Sequence, residues 1–304
     1  MKIGAITIGQ APRTDVTADI LHIFDDSLEL VQAGGLDGLT KEQIAEFAPG
    51  KDDYVLVSRL TDGSSVTFAE RHILPRLQDA INRMEDEGCS LIMMFCTGSF
   101  PETLSTRKIP MIYPCELLNR LVPLMTKKSD IICMTPSPLQ TEQCENKWKK
   151  YVDHVKAVSA SPYGEWDVLE KAAEEIKNSE ADLIVLDCIG YTQEMKKMFA
   201  EKTGKKVVLP RTLLARVVSR ISERSSSLPS QSTFNGSSID TSILVLLFRR
   251  RYIRISFSIQ RDAYVASLIF FTGLNVLIAL IRPIVPIEIR SSTPTPVLSN
   301  FLAI

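Results

Sequence analysis

The segments LIMMFCTGSF (residues 91–100) and LIVLDCIGYT (residues 183–192) decide the fold of this chain. Each begins with a continuous apolar run, which is typical of a strand buried on both faces of a parallel sheet. Each run ends at a cysteine, Cys96 or Cys188, and a glycine-containing turn follows. Because the same arrangement occurs twice, we predict two similar sheets, each with a thiol at the carboxyl end of one strand.

Apolar strands alternate with helical patterns through the first 223 residues, which predicts an α/β fold. A second repeated pair, IPMIYPCELLNRLV and KKVVLPRTLLARVV, supports a duplication. We therefore predict two doubly wound parallel-sheet lobes related by a pseudo-twofold axis. Residues 1–125 form the lobe with the first cysteine strand, and residues 126–223 form the lobe with the second. YVLVSRL and SSVTFA, joined through TDG, predict a β-hairpin in the first lobe.

The composition changes near residue 223. Residues 224–304 form an atypical tail without lysine, and its first part, RSSSLPSQSTFNGSSIDTS, is typical of a linker. Residues 263–281 carry no charge and are long enough to cross a membrane as a helix. Two interpretations stay open: a genuine C-terminal anchor, or a stretch appended to the fold, such as a translated frameshift. The loss of lysine favours the second.

Bulk composition excludes several classes of function. The 304 residues have a net charge of −1, which gives no general attraction to nucleic acid. The cysteines form no C-x-x-C pair and the histidines lack ligand spacing, so we predict neither a disulfide framework nor a metal. GLDGLT (residues 35–40) lacks the preceding strand and the third glycine of a dinucleotide fingerprint, so we predict no cofactor. Without a signal-peptide pattern, we expect the cytoplasm, or membrane contact only if the tail is an anchor.

The two strand-end cysteines are the candidate catalytic residues. Ligands of open α/β sheets bind beyond the carboxyl ends of the strands, where Cys96 and Cys188 both lie. If the lobes face one another, the thiols converge on one cleft. A pair of thiols suits a reaction that removes a proton from one face of a carbon and returns one to the other. Unless its side chain points away, Asp187 would raise the pKa of Cys188, and we then expect Cys188 to donate the proton and Cys96 to be the thiolate.

Loop residues near the same strand ends are the candidate ligands of a small carboxylate. In GQAPRT, after the first strand, glycine permits close backbone approach, proline fits the first turn of a helix and arginine can grip a carboxylate. PRTDVTADILHIF then predicts a helix capped by Thr14 or Asp15. Hydroxyls in the other loops can donate to a carboxylate or enediolate oxygen. The predicted binding residues are Gly9, Pro12, Arg13, Thr14, Thr97, Gly98, Thr135, Gly190, Tyr191 and Thr192.

The motifs TIGQAPRTD, LDGLT, CTGSF and LDCIGYT, in this order, resemble the bacterial AroM family over about residues 1–223. More distantly, the chain is similar to the aspartate/glutamate/hydantoin racemase superfamily. That resemblance implies two doubly wound lobes with one cysteine each, acting as a cofactor-free acid/base pair. The superfamily's first motif is usually Cys-Asn-Thr, whereas this chain has Cys96-Thr97-Gly98. Its second cysteine usually lies between glycine and threonine, whereas Cys188 lies between Asp187 and Ile189. These departures bear on whether the substrate is an amino acid more than on the presence of a cleft with two thiols.

Two functions from different classes follow. The first is a cofactor-independent racemase, isomerase or decarboxylase that acts on a small carboxylate. The second is a non-catalytic binding or regulatory protein that has the cleft without its chemistry. The substrate and the oligomeric state stay open.

Truncation after Glu223 tests the interpretation of the tail. If residues 224–304 are foreign to the fold, the shortened chain keeps the melting temperature of the full chain within about 2 °C, because no core contact is lost. Circular dichroism of both proteins measures the difference. A genuine anchor instead carries the full chain, and not the shortened one, into the membrane fraction.

Overall fold

The computed structural model describes residues 1–222 and two short strands further on, Phe270–Thr272 and Asn275–Leu277, which pair antiparallel. These strands fall within the uncharged segment 263–281; the rest of that segment and the linker lie outside the described residues. The chain forms two compact units, Met1–Pro229 and Ser230–Ile304. None of the helices that the structure describes has the length and hydropathy to cross a bilayer.

The first half of the described chain contains one parallel sheet and one hairpin. In order, its elements are β1 (Lys2–Thr7), α1 (Thr14–Thr17), β2 (Glu29–Gly34), α2 (Lys41–Ala45), β3 (Val55–Arg59), β4 (Ser65–Ala69), α3 (Leu74–Asp86), β5 (Leu91–Phe95), β6 (Met111–Ile112) and α4 (Pro114–Met125). The parallel sheet has the order β2-β1-β5-β6. Strands β3 and β4 form the antiparallel hairpin that the sequence predicts.

The second half contains another parallel sheet. Its elements are β7 (Asp130–Thr135), α5 (Thr141–Trp148), β8 (His154–Ser159), α6 (Trp166–Ile176), β9 (Leu183–Leu186), α7 (Gln193–Thr203), β10 (Lys206–Val208) and α8 (Pro210–Ser222). The sheet has the order β10-β9-β7-β8, with every neighbouring pair parallel.

The two sheets have the same topology. In each, the first strand pairs with the second and the third, and the third also pairs with the fourth. The third strands, β5 and β9, are the two apolar runs that lead to the cysteines, and all their residues are buried. The structure therefore confirms the predicted α/β fold of two similar parallel-sheet lobes.

Strands β2 and β8 are not predicted from the sequence, and each lies at the edge of its parallel sheet. Most of their side chains are exposed or half-buried, so they lack the continuous apolar run of a central strand. The sequence predicts no strand before GLDGLT, but β2 directly precedes this motif. The third glycine of a dinucleotide fingerprint is still missing.

The helix after β1 is much shorter than PRTDVTADILHIF predicts. Helix α1 has four residues and is followed by a turn and a 3₁₀ segment, Leu21–Ile23. Its N-cap is Arg13 rather than Thr14 or Asp15, and Pro12 precedes the cap, after a cis peptide bond, instead of lying in the first turn. Asp15 is unavailable as a cap because its carboxylate pairs with Arg13.

The last helix of each half packs on the sheet of the other half. On α4, Leu118 and Val122 lie in one core cluster with residues of β7 and β9. On α8, Leu214, Ala215 and Val218 pack with residues of β1 and β5. A boundary after residue 125 assigns α4 to the first lobe by its position in the chain. In space, α4 packs against the second sheet. Because the helices are exchanged, each half completes the core of the other.

A fully buried arginine links the two halves of the described chain. Arg211 lies in the first turn of α8 and has no exposed surface. Its guanidinium donates twice to the carbonyl of Ile189 (2.9 and 2.7 Å), just after Cys188. It also donates to the carbonyl of Asp15 (2.7 Å) and the carboxylate of Asp19 (2.9 Å) in the first half. Burial lowers the pKa of Arg211, and the charge of Asp19 opposes that change.

Removal of the Arg211 guanidinium should destabilise the folded chain. We expect Arg211→Met to reduce the free energy of unfolding by about 3 kcal/mol, because a partly buried carboxylate and two carbonyls lose their partner. Urea unfolding followed by circular dichroism measures the change. Arg216→Met, at an exposed position of the same helix, is the matched control and should stay within about 0.5 kcal/mol of the original. Similar small losses in both variants would mean that Arg211 does not hold the halves together.

Candidate active site

Both candidate thiols lie just beyond the third strand of their sheet and line one cavity. Cys96 directly follows β5, and Cys188 lies two positions after the end of β9. The two residues are 8% and 7% exposed, and the cavity between them is about 40 Å³. That volume holds a water molecule or two, and the two thiols are nearly buried.

Residues of both halves build the cavity wall. The first half contributes the hairpin and the loop after β5, with Ile8, Tyr54, Leu56, Val57, Cys96, Thr97 and Gly98. The second half contributes Thr135, Pro136, Gln140, Gln143, Cys144, Lys147, Asp187 and Cys188. The wall therefore combines apolar side chains with a few hydroxyl, amide and charged groups, as ligand sites usually do.

Each thiol accepts a backbone hydrogen bond from the glycine two positions later. The N–H of Gly98 lies 3.3 Å from Cys96 Sγ, and the N–H of Gly190 lies 3.4 Å from Cys188 Sγ. An N–H that points at sulfur favours thiolate over thiol. The duplicated strand ends thus carry duplicated hydrogen bonds to sulfur.

Arg13 lies behind the cavity wall. It is 2% exposed and is not among the residues that line the cavity. Its guanidinium makes two parallel bonds to Asp15 (both 2.8 Å) and further bonds to the hydroxyls of Thr7 (3.3 Å), Ser58 (3.4 Å) and Tyr163 (3.2 Å). The two-pronged grip expected for a substrate carboxylate is made to Asp15 instead.

Tyr163 is a residue near the site that the sequence analysis did not identify. Its hydroxyl is 3.8 Å from Cys188 Sγ, and the Arg13 guanidinium lies over its ring, 5.9 Å from the centroid. Gly190 leaves room for this ring, because a Cβ at that position would collide with it. Tyr163 follows SASP in the loop between β8 and α6, where no periodicity or motif marks it.

The motif LDGLT supports the loop that carries Arg13. Asp37, in this motif, accepts a hydrogen bond from the N–H of Ala11 (2.8 Å). Gly9 lies so close to Ser58 that a Cβ on it would collide with that side chain. The loop after β1 is therefore packed tightly against its neighbours, and this packing leaves no room for a side chain at Gly9.

The other predicted binding residues divide into two groups. Thr97, Gly98 and Thr135 line the cavity. The rest lie outside the lining and have contacts elsewhere or face solvent: Gly9, Pro12, Thr14, Gly190, Tyr191 and Thr192. The Tyr191 hydroxyl donates to the carbonyl of Ala160 (2.6 Å), and the Thr192 side chain caps α7.

Asp187 is turned toward partners in the second half. Its Oδ2 atom pairs with the ammonium of Lys147 and accepts a bond from the indole N–H of Trp148 (2.9 Å). Its Oδ1 atom is buried without a hydrogen-bond partner. Because Lys147 offsets the charge of Asp187, this carboxylate raises the pKa of Cys188 less than a free one would.

Cys133 on β7 and Cys144 on α5 are joined as a disulfide, a pairing that the sequence analysis did not predict. Both sulfurs lie near Asp187, and these residues are the one group of potential metal ligands among the described residues with donor atoms within 4.8 Å of one another. The sulfurs are bonded to each other and the carboxylate is paired with Lys147. The group therefore has no thiolate to offer a cation.

Burial raises the pKa of both cavity thiols. The glycine N–H groups oppose this rise at both sulfurs. At Cys188 the Tyr163 hydroxyl and the Arg13 charge also oppose it, whereas at Cys96 nearby ionisable groups add to it. Burial therefore disfavours the thiolate form of both residues.

Residues 3–222 match the family model described as AroM protein. The chain belongs to the AroM family. The matched residues include both sheets, the exchanged helices and the two cysteine loops. No curated protein matches the sequence.

Solved structures similar to this AroM-family chain share little sequence with it. Arylmalonate decarboxylase is 13% identical, with 73% of this chain and 91% of that chain covered and a TM-score of 0.48. Allantoin racemase from Klebsiella pneumoniae is 14% identical, with coverage of 73% and 87% and a TM-score of 0.49. The maleate isomerase Iso from Pseudomonas putida S16 is 14% identical, with coverage of 73% and 92% and a TM-score of 0.49. These similarities concern the fold alone.

Two glutamines of the second half hold the hairpin of this AroM-family chain over the cavity. The Gln143 side chain donates to the carbonyl of Val55 (2.9 Å) and accepts from its N–H (3.0 Å), as a neighbouring strand would. Gln140 donates to the same carbonyl (3.0 Å). Tyr54 and Leu56, on either side of Val55, line the cavity. Release of Val55 would therefore open it.

Gln143→Ala tests whether this contact controls access. We expect it to accelerate iodoacetamide alkylation of Cys96 and Cys188 roughly tenfold, because two hydrogen bonds of about 1 kcal/mol each no longer oppose local opening. Peptide mass spectrometry measures the rate at each cysteine. Cys89, which is buried outside the cavity, is the internal control and should keep its rate. An equal acceleration at Cys89 would indicate loss of overall stability instead.

Proposed function

We propose that this AroM-family protein is a cofactor-independent racemase or isomerase in which Cys96 and Cys188 act as an acid/base pair on a small carboxylate. The observation that carries this proposal is the matched pair of thiols in one cavity, each with a glycine N–H directed at its sulfur. A single buried cysteine is usually only a small apolar residue. Two equivalent ones at one cavity suit a reaction that needs a group on each face of a carbon.

The reaction is a proton exchange with balanced charges. One thiolate removes the proton next to the carboxylate and becomes a thiol, and the electron pair passes into the carboxylate as an enediolate. The opposite thiol then protonates the other face and becomes the thiolate, so the two cysteines exchange roles at each turnover. The N–H of Gly98 stabilises a negative charge on Cys96 Sγ, and the N–H of Gly190 stabilises one on Cys188 Sγ.

Cavity residues other than Arg13 are the candidates to hold the carboxylate. Lys147 is the cation among the described residues that line the cavity, and Thr97 and Thr135 place hydroxyls on the same wall. An ammonium and hydroxyl groups can share the charge of a carboxylate and of the enediolate that follows. Asp187, which pairs with Lys147, favours ligands that also offer a donor, such as the amino or hydroxyl group of an α-substituted acid.

The cavity of about 40 Å³ is small for an organic acid, so we expect a conformational change to accompany substrate entry. Opening of the hairpin admits the substrate, and closure excludes water, which would otherwise weaken the electrostatic stabilisation of the enediolate.

The raised pKa values of the two thiols favour a second candidate, a non-catalytic protein that binds small carboxylates. A thiol that stays neutral at pH 7 is a poor base. In this alternative the cysteines fill the ends of buried strands, and the cavity is a receptor.

Hydrogen exchange separates the two candidates. The full chain is incubated in heavy water with a panel of chiral amino and hydroxy acids, and NMR follows the hydrogen next to the carboxylate. A racemase incorporates deuterium as it inverts the centre. We expect Cys96→Ser and Cys188→Ser each to lower exchange from one enantiomer by at least about 100-fold, because a hydroxyl is too weak a base to replace a thiolate.

Cys89→Ser is the matched control, since Cys89 is a free cysteine buried away from the cavity. It should leave the exchange rate unchanged. A single cysteine whose loss abolishes turnover while loss of the other is tolerated would indicate one-thiol protonation, as in a decarboxylase. Ligand binding with no exchange, and with equal affinity in both serine variants, would contradict the enzyme and support the receptor.

A further inference from the structure

Cys188 has a hydroxyl group and a guanidinium on one side of its sulfur. The Tyr163 hydroxyl is 3.8 Å from Cys188 Sγ, and behind it the Arg13 guanidinium is 3.2 Å from the same hydroxyl. Arg13 is held in place by its two bonds to Asp15. Cys188, Tyr163, Arg13 and Asp15 therefore form a continuous chain of contacts from the cavity into the first half.

The direction of the hydrogen bonds follows from the groups involved. A guanidinium has only donors, so the Tyr163 oxygen must accept from Arg13. The single phenolic proton is then free to point at Cys188 Sγ. A hydroxyl that is polarised by a cation donates more strongly, and a donor to sulfur stabilises the thiolate form.

We propose that Tyr163, held by Arg13, is a positioning residue that donates to Cys188 and makes Cys188, rather than Cys96, the thiol that ionises first. This inference rests on the proposed acid/base function of the two cysteines. It reverses the expectation from sequence that Asp187 would make Cys188 the proton donor.

The charged and titratable groups around each sulfur support this order. Around Cys188 they are Tyr163, Arg13, Asp187 with its partner Lys147, Cys96 and Tyr191. Around Cys96 they are Tyr54, Cys188, Cys115 and Asp187, and the last three oppose a negative charge on its sulfur. Burial raises the pKa of both thiols, and only Cys188 has a hydroxyl and a cation that act against the rise.

The asymmetry gives the first half-reaction a direction. In the free protein Cys188 is the base that accepts the first proton, and Cys96 is the acid that protonates the opposite face. The enantiomer whose proton faces Cys188 then reacts first with the resting protein, and the other enantiomer requires the less stable form with ionised Cys96.

Tyr163→Phe in the full chain tests the inference without any substrate. The alkylation rate of each cysteine by iodoacetamide is measured between pH 6 and pH 10 by peptide mass spectrometry. Loss of the donor raises the pKa of Cys188, so we expect its profile to move up by about one pH unit. Below the midpoint this shift is a roughly tenfold slower alkylation. Cys96 in the same molecule is the internal reference and should keep its profile.

Tyr191→Phe is the matched control. It removes a fully buried hydroxyl near Cys188, but this hydroxyl donates to the carbonyl of Ala160 and not to sulfur. It should leave the pH profile of Cys188 unchanged. If Tyr163→Phe does not fold, as judged by circular dichroism, Arg13→Lys is measured in the same way. A lysine cannot grip Asp15 with two prongs and hold Tyr163 at once, so the profile should move in the same direction.

An unchanged Cys188 profile in folded Tyr163→Phe, or equal shifts at both cysteines, overturns the inference. A Cys188 profile that already lies above that of Cys96 in the original protein also overturns it. Failure of the proposed function has a different signature: no deuterium exchange with any acid, whatever the thiol profiles. The two failures are therefore distinguishable.

Discussion

The buried guanidinium of Arg211 is the interaction on which the rest of the structure depends. A charge with no access to water must be paired and fully hydrogen bonded, and Arg211 meets this requirement through three residues in two separate segments. It fixes the loop after Cys188 through Ile189 and the start of the first half through Asp15 and Asp19. The position of the second thiol is therefore coupled to the exchanged helix α8 and to the opposite half.

The exchange of helices makes this coupling necessary. Helix α8 covers the first sheet and α4 covers the second, so each sheet is buried only when both halves are folded. Two strand ends from different sheets can then enclose one small cavity with little freedom. A site that depends on two thiols on opposite faces of a carbon needs this kind of rigid scaffold, because small displacements of reacting groups are costly.

Duplication of the backbone has not duplicated the electrostatics. The strand ends, the glycine turns and the N–H bonds to sulfur occur in both halves. The neighbours of the sulfurs do not: Cys188 has Tyr163 with Arg13 behind it, whereas Cys96 faces groups that oppose its ionisation. Lys147 pairs with Asp187, whose charge raises the pKa of both thiols. A symmetric fold thus gives two nearly buried thiols different polar neighbours.

The sequence by itself determined the α/β class, the duplicated topology, the family and the two strand-end cysteines. These features are local, because a buried strand is visible as an apolar run and a thiol at its end lies where parallel sheets bind ligands. It missed the edge strands β2 and β8, most of whose residues are exposed or half-buried, and it overextended the helix after β1, in which Asp15 holds Arg13.

Only the tertiary structure decided what the site side chains contact. Arg13 and Tyr163 are separated by 150 positions, and Gln143 meets Val55 across 88. A lone arginine in a loop has the same sequence signature whether it binds a substrate or a neighbouring aspartate. Which partner it takes is settled by burial and by the groups that the fold brings beside it, and these depend on packing between distant segments rather than on any local pattern.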